Sequence, residues 1–452
     1  MLSACRRGVD RSRPLWGGRL GSAGPALMVG SCAFAVYMGN GMPLPTGDTV
    51  PGRLLPISML VEHDLDMDEF AESIGPGKRY CMITRDGRKL SSYPLGAAFT
   101  ALPIYAIGAV VSPGLFTEGM RPYFKRRFGD ESRDTVASRM EDRAAALITT
   151  LSVIVLWLLA RSRLGVWAAL SLTVAFGCGT SLFSSTSQAL WSHGPSCLAL
   201  MLMLFLLMSP REHWALLFLA GACAGWAFFC RATNAVPIAI LGPWILGRHW
   251  KHQRWTGFAA GLVVVLFATS WLNLHLYGQL LGGAAARARR MEQIEWEALM
   301  GLLFSPSRGL FVYSPFLLFA VVLGALQLGT RPKELGGMCL LGGVATVLLY
   351  SAWPKWGGGF SFGPRLLTDV IPLLMIPLIQ GMHYLTSRKA LIGLWIVSLG
   401  LSVLVHTAGA YHGDGGWNGD INRDQRGPEL WYLHDSQYRW TLQHAWDAWS
   451  GE

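Results

Sequence analysis

Residues 256–276, TGFAAGLVVVLFATSWLNLHL, decide the fold class, because they run for 21 residues without Asp, Glu, Lys or Arg. About 20 apolar residues in a helix are enough to cross the hydrocarbon core of a bilayer. Residues 144–160 and 390–408 repeat the pattern. Of the 452 residues, 52% are hydrophobic and 15% are charged, whereas a soluble domain carries about 25% charged residues. The composition excludes an ordinary soluble enzyme and predicts an all-α polytopic membrane protein.

Eleven apolar segments are predicted to span the membrane. They are 24–42, 144–160, 164–183, 190–208, 213–230, 234–247, 256–276, 310–328, 336–352, 366–386 and 390–408. If 93–113 does not cross, the short basic loops lie on the side of the Arg-rich N-terminus, as the positive-inside rule requires. These loops contain Arg161, Arg211, Arg248, Arg331 and Arg388. The N-terminus is therefore predicted to be cytoplasmic, and 93–113 interfacial or re-entrant on the outer side. If the Pro-containing segment 234–247 did not span, every later loop would change sides.

This orientation divides the chain into two predicted parts. Residues 1–408 form a transmembrane domain whose long first outer loop, 43–143, carries juxtamembrane helices. Residues 409–452 form an extracytoplasmic C-terminal tail. The net charge of +10 comes largely from the short loops, which is typical of membrane orientation rather than of nucleic-acid binding. The eight Cys follow no metal or disulfide spacing.

A carboxylate just after the first apolar segment is the candidate catalytic group. Asp48 is flanked by Pro45 and Pro51, which favour a non-helical chain at the predicted membrane boundary. A carboxylate held there suits a general base that takes a proton from an acceptor hydroxyl. The same position also suits a turn Asp that caps the next helix. Arg53, in the same stretch, is a candidate substrate-binding residue. The acidic run 63–70 lacks the glycine and glutamate of a calcium loop, so a solvated face is favoured over a metal site.

Two further positions on the predicted outer side carry candidate ligand-binding groups. His193 precedes Gly194 and Pro195 in an outer loop, and it suits phosphate binding or proton transfer. It also suits a plain helix-start histidine. Arg231 lies at an outer helix end, where an arginine usually has an anionic partner, either a phosphate or a carboxylate. Simple snorkelling to the interface is the alternative.

The stretch WPKWGGGFSFGPRLLTDVIP, residues 353–372, is the most informative. Lys355 and Arg365 are suited to clamp a phosphate, and the glycines allow a close backbone approach to a ligand. Trp356 and Asp369 are candidate substrate-binding residues in the same stretch. An aromatic belt with basic anchors needs no glycine run, so the functional interpretation is favoured. Arg308, at a Gly turn before a predicted span, repeats the theme.

The order of these parts resembles the GT-C class of integral-membrane glycosyltransferases. In that class an acid in the first outer loop is the catalytic base, and Asp48 matches its position. SSYPLGAAFTALPIYAIG, residues 91–108, resembles the Pro-containing juxtamembrane segment of that loop. Residues 353–372 resemble a Trp/Gly/Arg segment of several bacterial members. The resemblance covers most of the chain in layout, but only these three stretches in residues.

The resemblance implies an inverting transfer of a sugar from a polyprenyl-phosphate donor to an acceptor hydroxyl on a glycan, a lipid or a protein. Many members carry a second acid in the second outer loop, but 184–196 has none and offers His193. This departure favours a monophosphate donor held by Arg231, Lys355 and Arg365. No cofactor is expected, and a divalent metal has no support in the sequence. The expected location is the bacterial plasma (inner) membrane, with the active site extracytoplasmic and with membrane lipids, not nucleic acid, as partners.

Two other classes of protein remain open from the sequence. A multispan transporter or flippase of a lipid-linked saccharide would also explain the helices and the intramembrane arginine. Transporters more often place charges near the bilayer midplane on broken helices, whereas here the charges cluster at one face. A non-catalytic membrane scaffold would have little need of the loop 353–365. The glycosyltransferase is therefore the favoured interpretation.

Overall fold

The fold is known from a computed structural model, which describes residues 23–40, 46–111, 136–211, 213–250, 253–285, 291–330, 334–413, 417–418 and 428–450. About 75% of these described residues are helical, and almost none of them are in a sheet. The prediction of an all-α fold is therefore confirmed. The N-terminal arginines and the basic loop at Arg331 and Lys333, on which the predicted orientation partly rests, lie outside the described residues.

Sixteen α-helices are present in the described part of the chain. They are α1 (Ala23–Met38), α2 (Val50–Val61), α3 (Gly96–Val111), α4 (Val136–Arg161), α5 (Val166–Cys178), α6 (His193–Leu207), α7 (Trp214–Cys230), α8 (Ala235–His249), α9 (Trp255–Tyr277), α10 (Trp296–Phe304), α11 (Leu310–Tyr313), α12 (Leu317–Thr330), α13 (Leu335–Ser351), α14 (Val370–Thr386), α15 (Lys389–His412) and α16 (Gln437–Ser450). One antiparallel hairpin joins β1 (Met82–Arg85) to β2 (Arg88–Ser91).

Helix length and composition identify a membrane protein. Among the described residues, α4, α9 and α15 are long and apolar enough to cross a bilayer. Nine further helices are apolar but shorter: α1, α2, α3, α5, α6, α7, α12, α13 and α14. Helix α8, which contains Pro243, covers the predicted segment 234–247 and is in neither group.

Glycines allow the backbones of α7 and α9 to approach each other closely. A Cβ built on Gly221 would lie 1.9 Å from the carbonyl oxygen of Phe258, and one on Gly261 would lie 1.9 Å from that of Phe218. Side chains larger than hydrogen are therefore excluded at both positions. Small residues that let two backbones approach are typical of helix packing in membranes. The pair explains why these apolar segments contain glycine at all.

The described part of the predicted first loop packs in a second hydrophobic core, together with residues of α4, α7 and α9. Leu55 and Ile57 of α2, Tyr105 of α3 and Ala144 of α4 are fully buried together with Phe70. Helix α3 forms despite Pro103, and its last turns expose Ile107, Val110 and Val111. This core fixes the N-terminus of α2 against the first turns of α4, and Asp48 lies directly before α2.

Several helix ends differ from the sequence-based prediction. Helix α4 begins at Val136, eight residues before the apolar run 144–160, so its first turns are polar. The predicted helix 310–328 is divided into α11 and α12 around Pro315. The predicted helix 164–183 ends at Cys178, and a π-helical turn follows at Leu182–Thr186. The predicted tail, 409–452, contains the amphipathic helix α16.

Candidate functional site

Asp48 lies in a tight turn that leads into α2. The amide of Thr49 donates to the carbonyl of Thr46 at 3.1 Å, and the amide of Asp48 itself donates to the Thr46 hydroxyl at 3.2 Å. Pro51 occupies the first turn of α2, where its missing N–H leaves no unsatisfied donor. The turn therefore holds the carboxylate just outside the helix.

Three side chains from distant parts of the sequence converge on the Asp48 carboxylate. The hydroxyl of Tyr80 donates to Oδ1 at 3.1 Å, and the hydroxyl of Tyr93 donates to the same oxygen. Arg365 Nη1 lies 2.8 Å from Oδ2. Burial and then the charge of Asp48 raise the pKa of Tyr80, so this phenol remains a proton donor. The Asp48 side chain keeps 22% of its surface exposed, so the carboxylate is bound and still reachable.

Arg365 is held by the glycine-rich loop before α14. Its Nη2 donates to the carbonyl of Gly358, and its guanidinium carbon lies 4.0 Å from the ring centroid of Trp191. Gly358 and Gly363 adopt φ values of +77° and +61°, which L side chains rarely adopt. The glycines predicted to matter in 353–372 therefore allow the loop to fold around this guanidinium.

A second ion-paired group forms around Asp369, four residues after Arg365. His193 Nδ1 and Arg231 Nε each lie 2.8 Å from Asp369 Oδ2. Arg231 also donates to the Ser192 hydroxyl at 3.0 Å and to the hydroxyl of Tyr350. The Asp369 side chain is only 2% exposed. Three candidates predicted from separate stretches, His193, Arg231 and Asp369, therefore meet in one buried cluster.

Three consecutive residues join the two groups. Trp191 lies against Arg365, Ser192 accepts from Arg231, and His193 contacts Asp369. Both ion pairs are thus built on one short segment before α6. A shift of this segment would move both groups together.

Sequence reasoning missed Glu141, which anchors that segment. Glu141 Oε1 accepts from the amide of Leu190 at 3.1 Å, and its Oε2 lies 3.7 Å from Arg53 Nε. Both Glu141 and Arg53 are almost fully buried. The apolar pattern predicts a helix only over residues 144–160, which leaves Glu141 in the loop before it. The signal in the sequence is an acidic residue less than one helical turn before the apolar run.

The remaining candidates lie apart from the Asp48 carboxylate. Lys355 is exposed, with no ion pair among the described residues. Trp356 is buried in the main core and packs against Gly301 and the Trp431 ring. Arg308 is buried and donates to the carbonyls of residues 359 and 361 and to the side chains of residues 418 and 437. Arg308 therefore braces the glycine-rich loop and ties it to α16.

The acidic run 63–70 connects α2 to the hairpin through hydrogen bonds and an ion pair. Asp68 Oδ1 accepts from the amide of Lys89 at 2.5 Å, and Asp66 lies 3.8 Å from Arg88. Glu69 accepts from the Ser58 hydroxyl, and burial raises the Glu69 pKa to about 7. In the part of the chain that the structure describes, no three His, Cys, Asp or Glu side chains form a group able to hold a metal ion. The contacts found for this run are with the protein itself.

Three arginines of the site each pair with one carboxylate: Arg365 with Asp48, Arg231 with Asp369, and Arg53 with Glu141. Pairing offsets the large free-energy cost of burying a charge. Of these three pairs, Asp48–Arg365 is the one whose carboxylate is accessible. No family model matches this sequence, and no curated protein is significantly similar to it.

Proposed function

We propose that this chain is a membrane glycosyltransferase of the GT-C type. It moves a sugar from a polyprenyl-phosphate donor to an acceptor hydroxyl on the extracytoplasmic face, with inversion and with Asp48 as the general base. In this proposal about 11 segments span the membrane, and α2 and α3 are the juxtamembrane helices of the first outer loop. The observation that carries the proposal is the accessible Asp48 carboxylate, ten residues after the end of α1 and bound by Tyr80, Tyr93 and Arg365.

The reaction needs one base and one anion-binding group. The acceptor O–H gives its proton to the Asp48 carboxylate while its oxygen forms a bond to the anomeric carbon. The bond between that carbon and the donor phosphate breaks from the opposite face, and the phosphate leaves with the electron pair. A general base contributes about 10²–10⁴-fold to such a step.

The ion pair at Asp48 suits this sequence of charges. In the free enzyme the guanidinium of Arg365 favours the ionised carboxylate, which is the form that accepts a proton. When Asp48 takes the proton, its charge is lost, and the guanidinium is left beside a neutral acid. At the same moment the leaving phosphate gains negative charge. The guanidinium of Arg365 thus loses the charge of Asp48 as the charge of the leaving phosphate grows. It therefore stabilises the transition state more than it stabilises the bound donor.

The test is transfer by the purified protein in lipid vesicles, with a panel of radiolabelled polyprenyl-phosphate sugars and a mixture of glycan, lipid and peptide acceptors. We expect one donor to give a labelled, anomer-inverted product in the wild type and almost none in Asp48→Asn. Asp86→Asn is the matched control, because Asp86 is exposed in the hairpin turn and, among the described residues, its carboxylate contacts Arg85 alone. Movement of intact labelled lipid across the bilayer without transfer would replace the proposal by the flippase alternative.

A further inference from the structure

The indole of Trp191 has a polar group that the fold leaves unused. Trp191 is 3% exposed, and its Nε1–H has no acceptor among the described residues. Buried donors without an acceptor destabilise a fold, and each one therefore needs an explanation. Two other buried indoles have acceptors: Trp395 Nε1 donates to the Ser171 hydroxyl at 2.7 Å, and Trp417 Nε1 donates to the carbonyl of Asp435 at 2.9 Å.

A second unused donor lies beside it. Arg365 is 8% exposed, and while Nη1 and Nη2 bind Asp48 and Gly358, its Nε–H has no acceptor in the described part of the chain. The guanidinium carbon lies 4.0 Å from the Trp191 ring centroid. Two N–H donors without acceptors therefore belong to side chains that contact each other, and one of these side chains, Arg365, also binds the accessible carboxylate Asp48.

The chemistry of these donors selects the ligand. An indole N–H and a guanidinium N–H donate and never accept, so the group that satisfies them must supply acceptor oxygens. The guanidinium adds a full positive charge, which favours an anion. Phosphate offers several acceptor oxygens, and arginine binds phosphate readily. The hydroxyl of a sugar acceptor is neutral and does not match the positive charge of the guanidinium. The anionic phosphate of the donor therefore fits these two N–H groups better.

We propose that Trp191 is a donor-binding residue, and that its indole N–H and the Nε–H of Arg365 bind the phosphate oxygens of the lipid-linked donor. The inference rests on the proposed function for the identity of the anion. It adds a residue that phosphate-binding patterns do not suggest, since a tryptophan carries no charge. It also gives the ring two tasks, because its face orients the Arg365 guanidinium while its edge binds the phosphate.

The test measures binding separately from transfer. The purified protein in phosphatidylcholine nanodiscs is titrated with radiolabelled geranylgeranyl monophosphate, and in a second arm with inorganic phosphate. Trp191→Phe keeps an aromatic face for Arg365 and removes the N–H. We expect it to weaken binding of the isoprenyl monophosphate about tenfold, the loss typical of one hydrogen bond to a charged group. In transfer assays the KM for the donor should rise with little change in kcat.

Trp395→Phe is the matched control, because it removes an indole N–H of a buried tryptophan far along the chain, in α15. It should leave binding of the isoprenyl monophosphate unchanged. If Trp191→Phe folds poorly, benzothienylalanine at position 191, in which sulfur replaces the indole N–H, keeps the shape of the ring system.

The outcomes separate the two proposals. Unchanged affinity in both Trp191 variants, with clear binding by the wild type, refutes the role of Trp191 and leaves the glycosyltransferase proposal standing. Binding of inorganic phosphate that depends on Trp191, without binding of the isoprenyl monophosphate, supports the anion site and overturns the proposed donor. A wild type that binds neither probe overturns both.

Discussion

Asp48→Asn is the substitution that tests the proposed chemistry most directly. Asparagine keeps the size and shape of the side chain but cannot accept a proton at neutral pH. Its amide oxygen still accepts from the hydroxyls of Tyr80 and Tyr93, which both contact Oδ1. The ion pair with Arg365 at 2.8 Å is lost. The variant therefore removes the base and releases a guanidinium at the same time.

These two consequences predict opposite effects on rate and binding. Loss of a general base lowers turnover by about 10²–10⁴-fold, which is about 3–5 kcal/mol in activation free energy. Release of Arg365 from its carboxylate leaves its charge for the donor phosphate, so donor affinity should hold or rise. The lost ion pair should reduce the free energy of unfolding by at most about 1.5–3 kcal/mol, because Asp48 is partly exposed and solvent screens the pair.

Single-turnover transfer and equilibrium donor binding, measured on one preparation in nanodiscs, separate these effects. Asp86→Asn controls for the chemical change itself, and asparagine tolerates the φ of +50° at that position. Asp68→Asn is a poorer control, since the Asp68 carboxylate binds the amide of Lys89. Turnover of Asp48→Asn within a few-fold of wild type, in a properly folded protein, would refute Asp48 as the base. A large loss of donor affinity would refute the release of Arg365.

Three further predictions concern other charged residues of the chain. Arg365→Ala should weaken donor use on the order of tenfold to a hundredfold, and Arg365→Lys should restore only part of it because the bidentate fork is lost; unchanged donor kinetics in both variants would exclude the clamp. Burial raises the Glu69 pKa from 4.5 to about 7, so the folded state holds this proton longer than the unfolded state and stability falls as the pH rises through that window. Thermal unfolding of Glu69→Gln should show a smaller fall than wild type between those pH values. Single cysteines at positions 161 and 388 should react with an impermeant reagent only from the cytoplasmic side, and one at 355 only from outside; labelling at 161 from outside would invert the topology.

The sequence predicts the residues of the site better than it predicts their contacts. Asp48, His193, Arg231, Arg365 and Asp369 were all selected from residue type and from their position at the ends of apolar runs. That reasoning works because a charged group at a membrane boundary is costly to place. It gives no information on pairing, because the partners are separated by up to 317 positions in the chain.

The predicted phosphate clamp shows this limit most clearly. The sequence predicts Arg231 and Arg365 as a phosphate clamp, with a carboxylate as the alternative partner of Arg231, and in the structure each contacts a carboxylate. Lys355 was grouped with them because it is near in sequence, and it is exposed. Glu141 was missed because apolar periodicity identifies the helix only from residue 144 onward. Tertiary packing, rather than local pattern, decides each of these outcomes.

The Asp48–Arg365 and Asp369–Arg231 pairs differ in how exposed the carboxylate is, and this difference suits them to different roles. Asp369 is 2% exposed, with Arg231 as its cation and His193 Nδ1 as a hydrogen-bonding partner, so its carboxylate is compensated and almost closed to solvent. Asp48 is 22% exposed and its cation is a single arginine that also faces Trp191. A pair that must exchange its partner during a reaction needs access and a small penalty for separation, and only Asp48–Arg365 has both. The Asp369 cluster is suited to hold the segment before α6 in place, so that Trp191 presents its ring to Arg365.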